Sequence, residues 1–151
     1  MEFFRQLFGN YALNVALISL LAAQLLKVVS ILVKYKRFDF KKMLEAGGMP
    51  SSHSALVVAL TVALAKTCGL TSPEYAIAFC FSIVVMFDAS GVRRAAGEQA
   101  KILNYMLEHW GETTPEMFEK ELKEILGHTP IEVFAGAAVG LATGFICWAV
   151  W

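Results

Sequence analysis

Residues 127–151 read GHTPIEVFAGAAVGLATGFICWAVW, and beyond Pro130 the only charged side chain is Glu132. About 20 apolar residues in helical form cross roughly 30 Å of hydrocarbon, and this stretch supplies them. A membrane strand would alternate polar and apolar residues, which it does not, so the spanning form is a helix that satisfies its own backbone. Its start is also written in the sequence. Thr129 as cap, Pro130 at the first helical position and Glu132 three residues after the cap form a capping box. Gly136, Gly140 and Gly144, spaced by four, make a seam along which another helix can approach closely.

The rest of the chain repeats the pattern. Apolar stretches at about 11–33, 52–70 and 73–89 join the one at 130–151. With 57% hydrophobic and 17% charged residues over 151 positions, and a mean hydropathy of +0.57, the composition excludes an ordinary soluble domain. The expected fold is all-α: one membrane domain, 1–151, with about four transmembrane helices and one or two amphipathic helices on the cytoplasmic side. The 11–33 run is too long for a signal-peptide core and lacks an A-x-A cleavage signal, so it reads as a retained helix. Cys68, Cys80 and Cys147 form no CxxC pair, which argues against a zinc site or a disulfide framework. A formal net charge of zero gives no support for a nucleic-acid partner.

Charge placement is more informative. Four consecutive crossings put both long connections, 34–51 and 89–129, on one face. That face collects Lys34, Lys36, Arg37, Lys41, Lys42, Arg93, Arg94, Lys101, Lys120 and Lys123, against Arg5 and Lys66 opposite. The positive-inside rule makes the long connections cytoplasmic and both termini external, as in a bacterial plasma membrane. Within the second connection, Ile102, Leu103, Met106, Leu107 and Trp110 form one apolar stripe, and Met117, Phe118, Leu122, Ile125 and Leu126 another. His109 has no partner in this pattern and reads as a surface residue.

The chemistry-bearing residues gather on the same face. Gly47-Gly48-Met49-Pro50-Ser51-Ser52-His53-Ser54 opens the second apolar stretch, as Gly127-His128-Thr129-Pro130-Ile131-Glu132 opens the last. Two helix N-termini there offer free N–H groups and the positive ends of two dipoles, a setting for an anion. If Ala55, Ala59 and Ala63 face the glycine seam, His53 and His128 meet at the mouth of one groove. The third stretch delivers Asp88, Arg93 and Arg94 to this end, and the first carries Lys27 and then Lys34. An ionisable residue inside a span, as Lys27 is, is a functional candidate by default.

Met49-Pro50-Ser51-Ser52-His53 resembles the P-S-G-H motif of the type-2 phosphatidic acid phosphatase and vanadium haloperoxidase superfamily. The segment from His128 to Gly136 resembles that superfamily's terminal H-x-x-x-D motif and trailing helix. The segments GGMPSSHSA, FDASGVRRAAGEQA and LKEILGHTP, spread over nearly the whole chain, resemble its small divergent membrane branch. Ser52 stands where the parent superfamily has glycine and Glu132 where it has aspartate. Leu122 stands where it has arginine, so Arg93 or Arg94 would have to complete the phosphate clamp. The parent fold has six helices, and a homodimer could complete the bundle here.

The resemblance implies hydrolysis of a phosphomonoester or diphosphate of a lipid or amphiphile. His128 would be the nucleophile, oriented by Glu132, and His53 the acid for the leaving oxygen. Lys27, Ser51, Ser52, Arg93 and Arg94 would bind the phosphate, supported by Asp88 and Lys34. No metal or cofactor is called for, since the surrounding cations oppose a divalent ion. The alternative is a protein that binds or transports a phosphate or lipid headgroup without turnover.

Overall fold

The computed structural model describes residues 2, 8–36, 48–108 and 127–150. Five helices of at least 17 residues follow one another: α1 (Tyr11–Tyr35), α2 (Ser52–Cys68), α3 (Pro73–Ser90), α4 (Val92–Glu108) and α5 (Pro130–Val150). No strand occurs among the described residues. Most starts are fixed by short polar side chains that accept from orphan N–H groups. Asn10 Oδ1 accepts from Leu13 N–H at 3.0 Å, Ser72 Oγ from Tyr75 N–H at 3.2 Å, and Ser51 Oγ from Ser54 N–H at 3.4 Å. Pro73 occupies the first turn of α3, where its missing N–H costs nothing.

Among the described residues, three stretches, Tyr11–Val33, Pro73–Leu107 and Pro130–Val150, are long and apolar enough to cross a membrane. Large apolar side chains point outward from all three: Leu25, Ile77, Phe87 and Phe134 are each at least 68% exposed. That pattern suits lipid rather than water. The chain is an all-α membrane bundle.

α2 departs from the expected 52–70 span. It stops at Cys68, where Gly69 turns the chain with φ 86°. At ~1.5 Å per residue its 17 residues rise about 26 Å, short of the ~30 Å hydrocarbon core. Its position accounts for the difference. α2 is the central helix, packed against α1, α3 and α5, so most of its length meets protein rather than lipid.

Small residues make that packing close. A Cβ on Gly140 would sit 2.6 Å from the Ala55 carbonyl oxygen, and one on Gly144 2.7 Å from Val62 Cβ; Gly136 lies directly on the Ser51 carbonyl. The glycine seam of α5 therefore faces α2, along the row Ser51, Ala55, Val58 and Val62. Ala59 and Ala63, expected on that seam, instead join Ala12 and Val15 of α1 in the buried core. α2 carries small residues on two faces, and each face receives a different helix.

Hydroxyls bind the remaining contacts. Thr61 Oγ1 and Ser82 Oγ lie 2.7 Å apart across α2 and α3, and Ser82 also donates to the Val57 carbonyl at 2.9 Å. Ser19 of α1 donates to the Ala55 carbonyl at 3.0 Å. At the far end of α2, Lys66 Nζ donates to the Trp148 carbonyl at 2.9 Å and lies 4.8 Å from the centre of the Tyr11 ring. This fixes α1, α2 and α5 to one another at the end opposite Ser51. The expected amphipathic helix around Met117–Leu126, with His109 and Trp110, lies outside the described residues.

Candidate functional site

Four parts of the chain converge at the Ser51 end of α2. Ser51 N–H donates to the Glu132 carbonyl at 3.0 Å, which joins the start of α2 to the first turn of α5. His128 N–H donates to the Ala89 carbonyl at 3.0 Å, which joins the approach to α5 to the last turn of α3. The third link comes from α1. A Cβ on Gly48 would lie 3.0 Å from Lys27 Cε, so the lysine stem rests against the loop that leads into α2. Gly48 has φ +87°, which an L side chain rarely adopts, and its bare Cα leaves the room that Lys27 fills.

His128 is buried, 8% exposed, at the mouth of α5. Its Nδ1 lies 3.2 Å from Glu132 Oε2, and the same oxygen accepts from Thr129 N–H at 3.0 Å. Thr129 Oγ1 in turn accepts from Glu132 N–H at 3.4 Å. The capping box is formed, and its carboxylate also orients the histidine. A carboxylate only accepts, so with Glu132 ionised the proton of the shared bond sits on Nδ1, and in the neutral ring Nε2 is then the nitrogen with the lone pair.

Lys27 is 6% exposed, so it does not snorkel from its helix to the surface. None of Lys27, His53 and Asp88 stands free of partners. His53 is exposed in the first turn of α2, while Asp88 is half-buried beside the Ala89 carbonyl that holds His128. Ser51 is fully buried, and its hydroxyl oxygen accepts from both the N–H and the hydroxyl of Ser54, so it serves as a helix cap. Ser52, half-buried at the first position of α2, is the more accessible serine. Arg93 and Arg94 fall in the first turn of α4, one turn past Asp88, and Lys34 in the last turn of α1; their side chains lie outside the described residues.

Two supporting groups were not singled out by sequence: Gly48 and the Ala89 carbonyl. The glycine pair before Met49-Pro50 was the available signal for Gly48; a backbone carbonyl leaves none. Gln24, one turn before Lys27 on α1, has its buried Oε1 without a hydrogen-bond partner among the described residues. Also among these residues, no three His, Cys, Asp or Glu side chains are grouped so as to hold a metal ion.

The fold and this helix-end cluster define a class: a small helical membrane protein with a buried, carboxylate-oriented histidine where two helix N-termini meet. The chain belongs to the Divergent PAP2 family, which it matches over residues 8–143. It is also 40% identical over 146 residues to a protein of Bacillus subtilis (strain 168) whose name is Uncharacterized membrane protein YuiD; the match spans 90% of this chain and 92% of that one. No solved structure matches.

Proposed function

We propose that this protein is a metal-independent phosphatase of the bacterial plasma membrane, acting from the cytoplasmic side on the phosphomonoester or diphosphate of a lipid or other amphiphile. The observation that carries the reading is the pairing of the buried His128 with the half-buried Glu132 at a helix N-terminus, which leaves Nε2 as the ring nitrogen to react. Nε2 attacks phosphorus, a phosphohistidine forms, and the bond to the leaving oxygen breaks. His53 gives that oxygen its proton. Water then attacks the phosphohistidine and releases phosphate, with His53 taking the water's proton. Negative charge on the non-bridging oxygens is met by the N–H groups of α2 and α5, Ser52, Lys27, and Arg93 or Arg94.

A second reading, headgroup binding or transport without turnover, is favoured by two specific observations. The Ser51 hydroxyl is engaged in capping, and Leu122 replaces the superfamily arginine, so the clamp is thinner than the resemblance implies.

The deciding experiment measures phosphate release by purified protein with chelator present, over lipid phosphates and polyprenyl diphosphates. Wild type is expected to release phosphate from at least one of them, and His128→Ala to release none. His53→Ala is expected to lose about 10²–10⁴ in rate, the usual contribution of a general acid. The tie from His128 to Ala89 is made by backbone, so His128→Ala should melt close to wild type. Folded wild type that binds these ligands yet releases no phosphate would establish the second reading.

A further inference from the structure

α4 is amphipathic but mounted inside out. At 100° per residue, Val92, Ala96, Gln99, Ile102, Leu103 and Met106 share one face, with Gln99 its only polar member. All six are exposed; Ile102 is 57%, Leu103 48% and Met106 50% accessible. The opposite face carries Gly97, Ala100, Lys101 and Asn104, with Leu107 at its edge, and these are the residues turned toward the rest of the chain: Gly97 is buried and the other four are half-buried. A helix beside water would be mounted the other way, since burying apolar area is the main gain of packing.

We infer that the outward face of α4 is a lipid-contact surface, seated against the acyl chains of the bilayer. The occupant follows from continuity. α3 turns Ile77, Phe81, Val84 and Phe87 outward in a stretch apolar enough to span, and α4 begins two residues after α3 ends, with Val92 62% exposed. The outward apolar surface of the spanning helix thus runs on into α4 without a polar break longer than Ser90-Gly91. Burying the small, polar side against protein and the apolar side against lipid satisfies both. The inference stands apart from any catalytic activity. Contact with the bilayer anchors the helix whose first turn bears Arg93 and Arg94.

The test uses the full chain in nanodiscs of phosphatidylethanolamine and phosphatidylglycerol, with Cys68, Cys80 and Cys147 replaced by alanine. Spin labels are placed singly at Ile102→Cys, Leu103→Cys and Met106→Cys. Lipid contact is expected to give high collision rates with oxygen and low rates with a water-soluble nickel chelate. High nickel rates at all three positions would overturn the inference. Low rates with both, accompanied by spin–spin broadening, would overturn it in favour of a second copy on this face. The unmodified chain supplies a check free of folding effects: a lipid-borne diazirine, photolysed in the same discs, should label peptides spanning residues 102–106, and their absence among labelled peptides would sink the idea.

Discussion

Glu132 Oε2 accepts from two donors at once, the Nδ1–H of His128 at 3.2 Å and the N–H of Thr129 at 3.0 Å. One bond is helix capping and the other histidine orientation, and two substitutions separate them. Glu132→Gln keeps an oxygen in place, so the cap survives, but removes the negative charge that stabilises a positively charged imidazole. It should melt near wild type while losing tenfold or more of any phosphate release, roughly 1.4 kcal/mol of transition-state stabilisation. Glu132→Ala removes the acceptor altogether and should also lose about 1 kcal/mol of stability, the usual worth of a helix-start side chain. Thermal melts and release rates of the two variants, measured side by side, decide the matter. A Gln variant as active as wild type would mean that Glu132 acts on His128 through the hydrogen bond alone and that its charge plays no part.

Among helix contacts, the glycine seam of α5 on α2 is the most closely constrained. A Cβ on Gly140 meets the Ala55 carbonyl oxygen at 2.6 Å, and on Gly144 it meets Val62 Cβ at 2.7 Å; neither atom can step aside by a side-chain rotation. Alanine at either position gains about 1 kcal/mol of helix propensity over glycine, while overpacking costs about 1–3 kcal/mol. Gly140→Ala and Gly144→Ala should therefore both lower the melting temperature, because each added methyl can be relieved only by moving a backbone. Equal melting of both variants with wild type would mean that α2 and α5 lie farther apart than the structure places them. The hydroxyl pair Thr61–Ser82 matters less in energy. Such interhelical bonds in membranes average about 0.6 kcal/mol, because a freed hydroxyl returns to a carbonyl on its own helix, as Ser82 can with Ala78.

Over the whole molecule, what could be read from sequence was whatever is local. Thr129, Pro130 and Glu132 announce their capping box, because a cap is made by residues within one turn. Which face of α2 meets which helix was not legible: lipid is as apolar as the protein interior, so hydrophobic pattern does not mark the inward side, and a spacing of four fits Ala55–Ala59–Ala63 as well as Ser51–Ala55. Gly48 on Lys27 and Ala89 on His128 were hidden for a related reason, each joining segments far apart in the chain. Orientation in the membrane rests on charge asymmetry alone, and the fold turns it into a test. α2 runs from the site end at Ser51 to Cys68, an exposed thiol at the opposite end, so the two ends of one central helix should face opposite compartments. An impermeant maleimide added to intact cells is expected to label Cys68, and to label Phe40→Cys or Pro115→Cys, in a chain with Cys68 replaced by alanine, only after the membrane is opened. The reverse pattern would place the His128 site outside, where a phosphatase would meet lipid phosphates of the outer leaflet instead of the inner one.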